Sequence, residues 1–110
     1  MLKKSKMKSQ SINIPMNIKE LHTQEKAVSA IVLFRGEQHN VTSIQILQGE
    51  KLKEHTTATA ALLICIEGKA VFMNEKGAKE TLSPGDYVHI EPMVKHWVEG
   101  IELSQLVLIK

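Results

Sequence analysis

Two histidines, His55 and His96, and the threonine Thr57 are the side chains of this sequence best placed to do chemistry. His55 lies six positions after Gly49 and just ahead of a near-continuous apolar run closed by Gly68. His96 ends the stretch GDYVHIEPMVKH, which begins at Gly85 and turns at Pro92. A neutral imidazole offers one lone pair to a metal ion or a hydrogen-bond donor, and it exchanges protons near neutral pH. Thr57 stands two positions beyond His55, so on an extended chain both project to one side. Other candidates are weaker. Glu54 neighbours His55 and faces the opposite way, Glu50 and Glu91 sit near strand ends, and the parity of His89 against Val88 and Ile90 turns it outward. Cys65 is flanked by Ile64 and Ile66, which reads as a small buried hydrophobe rather than a nucleophile.

Short strands must position these residues. Asn17 with Glu20 three residues later has the form of a helix cap, and Ile18 and Leu21 share one face of a short turn. Ala27–Phe34 is rich in Val and Ile and reads as a strand. Val41–Leu47 alternates, with Thr42, Ile44 and Ile46 on one side. The uncharged run Ala58–Ile66 reads as a strand covered on both faces, its β-branched content and flanking glycines arguing against a helix. Ala70–Met73 and Lys79–Leu82 flank the hairpin loop at Asn74–Gly77. Ser83-Pro84-Gly85-Asp86 is a turn, and Tyr87–Ile90, His96–Val98 and Leu103–Ile109 complete the strands. Many short strands and almost no helix indicate a sandwich or closed barrel.

The motif residues resemble the cupin superfamily. In its first motif a glycine, five residues, His-x-His, a glutamate and a closing glycine follow in order; Gly49, His55 and Gly68 occupy their places, while Thr57 replaces the second histidine and Ala61 the glutamate. In the second motif Gly85, Pro92 and His96 keep the frame, Met93 stands where a glycine is usual, and the late asparagine falls near Gly100. The resemblance covers residues 27–109 and implies an all-β double-stranded β-helix, or jelly-roll barrel. It is closest to small bacterial cupins whose first motif is likewise reduced to one histidine followed by threonine. It also implies that His55 and His96 point into the barrel; Thr57, two residues from His55, is expected to add a hydroxyl there, and Met73, Met93 or Trp97 to shape an apolar rim. The full ligand set aims imidazoles and a carboxylate at one transition metal. Here two imidazoles remain, which implies a weakly held divalent metal or none, with water, chloride or a carboxylate ligand as alternatives.

The 110 residues make one domain, with residues 1–14 as a disordered or arm-like tail and residues 15–110 as the barrel. Apolar residues reach 43% and aromatics only 4%, so the core is built from aliphatic side chains. The net charge of +2 is a property of the tail, because Lys3, Lys4, Lys6 and Lys8 precede every acid. Without those four the body carries ten basic against twelve acidic side chains, which argues against a nucleic-acid-binding face. No stretch has the roughly 20 apolar residues that span a bilayer. There is no secretory signal pattern, and a single cysteine suits the cytoplasm. The leading expectation is a cytoplasmic protein that binds a small polar molecule at His55 and His96. A metal-dependent oxygenase or isomerase with an unconventional ligand set, and a structural or regulatory dimer with a vestigial site, are the alternatives. Apolar side chains at both parities of Ala58–Ile66 predict a homodimer through a sheet face.

Overall fold

The computed structural model describes residues 13–110. The expected N-terminal tail therefore lies outside the described residues up to position 12. Nine strands follow one 3-10 turn: β1 (Val28–Arg35), β2 (Asn40–Ile46), β3 (Lys51–His55), β4 (Ala61–Glu67), β5 (Ala70–Asn74), β6 (Lys79–Leu82), β7 (Tyr87–Ile90), β8 (His96–Gly100) and β9 (Ser104–Ile109). They form two antiparallel sheets, one of five strands in the order β1-β2-β9-β4-β7 and one of four in the order β3-β8-β5-β6. This is the jelly-roll arrangement expected from the sequence. No helix among the described residues is long and apolar enough to cross a membrane.

The period-2 alternation is what assembles the two sheets. Ile44 and Ile46 of β2, Leu63 and Cys65 of β4, Phe72 of β5 and Leu106 of β9 are all buried in one core between the sheets. Burying one such side chain contributes about 1.5–3 kcal/mol, so each sheet gains by presenting its apolar parity inward. The intervening positions on β4 behave differently from expectation. Leu62 and Ile64 are only half-buried and Ile66 is 42% exposed, so the outer face of this strand is not fully covered.

Turns close where glycine is required. Gly68 has φ +90°, and a Cβ built there would overlap the carbonyl oxygen of Leu103 and the Cα and Oγ of Ser104. No L side chain fits without moving the neighbouring chain. Ser104 in turn is fully buried and satisfied, accepting from the Lys69 amide at 3.1 Å and sharing its single proton between the Lys69 and Glu102 carbonyls at 3.0 and 2.8 Å.

The segment ahead of β1 straps across the outer face of the five-stranded sheet. The 3-10 turn Ile18–Glu20 is capped by Asn17, whose side chain accepts from the Lys19 amide at 2.8 Å. His22 then bridges two strands, its Nδ1 2.8 Å from the Ser29 hydroxyl on β1 and its Nε2 2.8 Å from the Ser43 hydroxyl on β2. Lys19 meets Glu67 at the end of β4 at 3.1 Å. Ser29, Gln45, Gln105 and Glu67 are consecutive cross-strand partners, and the strap meets both ends of this row, Ser29 through His22 and Glu67 through Lys19.

Candidate functional site

His55 is the last residue of β3 and His96 the first of β8, and the two are paired across the sheet. The pairing follows a register irregularity between Leu52 and His55, which brings both side chains to the inner face. Their ring centroids are 4.2 Å apart with the planes inclined at 60°. Each Nδ1 lies near a main-chain carbonyl two residues back: 2.9 Å from Lys53 for His55 and 3.2 Å from Val94 for His96. A carbonyl only accepts, so each neutral ring carries its proton on Nδ1 and keeps a lone pair on Nε2. Neither Nε2 has a hydrogen-bond partner among the described residues.

The surroundings keep His96 neutral. It is 2% exposed and stacks on Phe72 with centroids 5.9 Å apart. Burial pushes its pKa below the ordinary 6.5, opposed by the Val94 carbonyl and assisted by the neighbouring charges of His55 and Lys110. On its other side His96 is paired with Asn74 of β5. The Asn74 side-chain oxygen is used by the hairpin, accepting from the Lys76 and Ala78 amides at 2.9 and 3.0 Å.

Thr57 reaches this neighbourhood differently from expectation. β3 stops at His55 and β4 starts at Ala61, so Thr57 lies in the connecting loop and not two places along the same strand. Its carbonyl accepts from the Met93 amide at 2.8 Å, holding the loop against the Pro92 turn that leads to His96. Thr57 is 4% exposed, and its hydroxyl has no hydrogen-bond partner.

Two expected site residues are on the wrong face. Met73 and Trp97 are cross-strand partners, and each adjoins a residue of the inward pair Phe72–Val98. Alternation therefore turns both outward, away from His96. Trp97 instead lines a shallow depression with Lys51, Lys53 and Glu54. Met93, also expected at the rim, is 68% exposed on the Pro92 turn. His89 faces outward as expected, since it pairs with the outer residue Leu62. Cys65 is fully buried, and burial pushes its thiol pKa up, so it has no nucleophilic character.

The sequence did not reveal the cavity beside this pair. It has a volume of about 670 Å³ and lies at the open side of the barrel, between β6 and β7. Phe72 and Asn74 form its inner wall, and Glu80, Asp86, Tyr87 and Glu91 are among its other lining residues. Phe72 is shared: it lines the cavity and stacks on His96. The hairpin register gives the one sequence signal for Glu80, which lies opposite Phe72 and so shares its inward parity.

Comparison with known proteins agrees with this architecture. The family model for the cupin domain matches residues 42–109. The chain belongs to the cupin family. A cupin superfamily protein from Desulfitobacterium hafniense superposes with a TM-score of 0.80 at 18% identity, over 96% of each chain. A conserved protein of unknown function from Streptococcus pyogenes gives 0.77 at 13% identity, over 93% of this cupin and 90% of that chain. An RmlC-like cupin from Shewanella frigidimarina gives 0.69 at 17% identity, over 76% and 74%. These likenesses show the fold. No functionally curated protein matches this cupin.

The cupin fold often holds a metal, and the residues present do not fit a tightly held one. Among the described residues no group of three or more His, Cys, Asp or Glu side chains could hold an ion. Two imidazoles are short of the three or four protein ligands a transition metal ordinarily takes, and no carboxylate joins them. What the pair offers is two neighbouring lone pairs, one on the buried His96 and one on the half-buried His55.

Proposed function

We propose that this cupin is a binding protein for a small polar molecule, held at His55 and His96. The observation that supports it is the pairing of the two rings at 4.2 Å with both Nδ1 atoms committed to main-chain carbonyls. That arrangement presents two acceptors to one ligand and fixes their direction at no further ordering cost. The matching ligand is a hydrogen-bond donor, such as a polyol, amide or amine, because with Nδ1 turned to a carbonyl each neutral ring offers Nε2 as an acceptor. The Thr57 hydroxyl, buried without a partner, is the third polar contact. A weakly coordinated divalent ion uses the same two nitrogens.

The test is a screen of small polyols, amides and amines against the full chain, read by the ring resonances of His55 and His96. At least one class of donor shifts both rings together, and His96→Phe abolishes the response. If no donor moves either ring, the binding reading fails. Titration with zinc or nickel alone gives a dissociation constant weaker than about micromolar, as two nitrogen ligands dictate. A stoichiometric metal retained by untagged protein through chelation would instead favour a metal-dependent enzyme.

We also propose a homodimer through the outer face of the five-stranded sheet. Support comes from Ile66 and Tyr87, 42% and 61% exposed, beside the half-buried Leu62 and Ile64. A second copy would cover this apolar surface.

A further inference from the structure

We propose that His22 is a pH-sensitive latch, holding residues 17–27 against the outer face of the five-stranded sheet while its ring is neutral and releasing them when the ring is protonated. This goes beyond ligand binding at the histidine pair and beyond the dimer, and it depends on neither.

Three features make the strap a two-state element. The first is how weakly the rest of it is held. No side chain of residues 13–27 is buried; Ile18, Leu21 and His22 are half-buried and the others exposed. The ion pair of Lys19 with Glu67 joins two exposed side chains, and such pairs contribute little. Ala27 marks where release ends, because its carbonyl accepts from the Leu47 amide at 3.1 Å and β1 follows. The second is a polar conflict on the face the strap crosses. Gln45 and Gln105 lie between the two ends of the row that the strap meets, and they are 8% and 3% exposed. The Gln105 amide nitrogen donates to the Gln45 side-chain oxygen at 2.6 Å, but the Gln105 oxygen is buried without a partner. Lifting the strap lets water reach that oxygen, so the closed state carries a penalty that the open state does not.

The third is the ring itself. The serines it bridges, Ser29 and Ser43, are 9% and 0% exposed, and each hydroxyl is 2.8 Å from a ring nitrogen. In the neutral ring one nitrogen donates and the other accepts, so both serines find a matching partner. A protonated ring donates from both nitrogens. The serine that had donated to it must then turn its proton away, and a cation is left with little water. Among the described residues no charge offsets this. Ile31, Gln45 and Val107, which adjoin the two serines on the outer face of β1, β2 and β9, are neutral. Glu67 on β4 is occupied by Lys19, and Glu20, Glu25 and Lys26 of the strap are exposed. Burial alone lowers the pKa of His22 from the ordinary 6.5. The closed strap therefore favours the neutral ring, and closure weakens as the pH falls through the histidine range.

Carbon-13 methyl spectra of the full chain between about pH 7.5 and 5 test this, a range that stops above ordinary carboxylate titration. The open fraction, read from the methyl shifts of Ile18 and Leu21, rises about threefold or more on acidification, with the midpoint of the His22 ring titration. The core methyls of Leu63 and Leu106 stay in place. A shift of those methyls in step with the strap would reveal global unfolding and overturn the latch. His22→Gln, whose amide still donates and accepts, abolishes the response, and His22→Ala leaves the strap open at both ends of the range. Acid opening that persists in His22→Gln, or a strap that stays closed in His22→Ala, would overturn the proposal. A further measurement needs no variant: the His22 ring titrates at a lower pH in the folded chain than in the urea-unfolded chain. Equal midpoints would also overturn it, because a ring indifferent to folding cannot drive release.

Discussion

The main-chain amide of Met93 donates to the carbonyl of Thr57 at 2.8 Å, joining the loop after His55 to the turn before His96. Met93 makes that bond from a left-handed conformation, with φ 64°, the only positive φ outside glycine among the described residues. The glycine usual at this place in cupins fits such a conformation without strain; methionine incurs about 1 kcal/mol. Met93→Gly should therefore stabilise the protein slightly, by up to about 0.5 kcal/mol, the relief of strain being largely offset by the freer unfolded chain. Urea denaturation checks this. A loss of stability would show that the exposed methionine side chain packs on something that outweighs its strain.

Thr57 carries a second local conflict. Its hydroxyl is buried and unpartnered, which costs about 1–3 kcal/mol relative to a satisfied one. Thr57→Val keeps the shape and removes the polar atom, so the free protein should gain about 1 kcal/mol. Donor ligands that shift the histidine rings should bind several-fold more weakly to the same variant. Equal affinity would remove Thr57 from the site.

Stability should depend on pH through two histidines. Burial lowers the pKa of His96, with His55 and Lys110 adding to the effect, and burial alone lowers that of His22. Both rings are therefore neutral in the fold at a pH where the unfolded chain already binds protons. Stability is full above the ordinary histidine value of 6.5, declines as the pH falls through it, and levels off once the folded-state values are passed. Melting temperatures between about pH 5 and 8 should show this, ahead of carboxylate titration. His96→Gln should flatten part of the decline; an unchanged profile would contradict the burial argument.

Assembly gives a further test. Light scattering at micromolar concentration should return twice the mass of one chain, and Ile66→Lys should return a single chain with little loss of stability. Ile66 is 42% exposed, so a lysine there is tolerated in one copy and desolvated in two. A monomer for the unaltered protein would sink the dimer.

The sequence by itself determined most of the strands, because alternation and turn chemistry are local, but it did not show β3 (Lys51–His55), whose residues carry no apolar alternation. β7 matches its expected bounds, and Thr42, Ile44 and Ile46 are the positions of β2 that face inward or toward the core. The motif frame also located His55 and His96 and the demand for glycine at Gly68. Parity alone, applied to Trp97 beside His96 and Met73 beside Phe72, would have turned both outward. Only the tertiary structure decided the rest. The His55–His96 pairing depends on a register irregularity after Leu52, and Thr57 leaves the strand because the first motif breaks into β3 and β4. Glu80 and Asp86 border one cavity because β6 and β7 are the strands at which the two sheets end. Which strand becomes an edge is set by long-range pairing, and no local pattern of side chains encodes it.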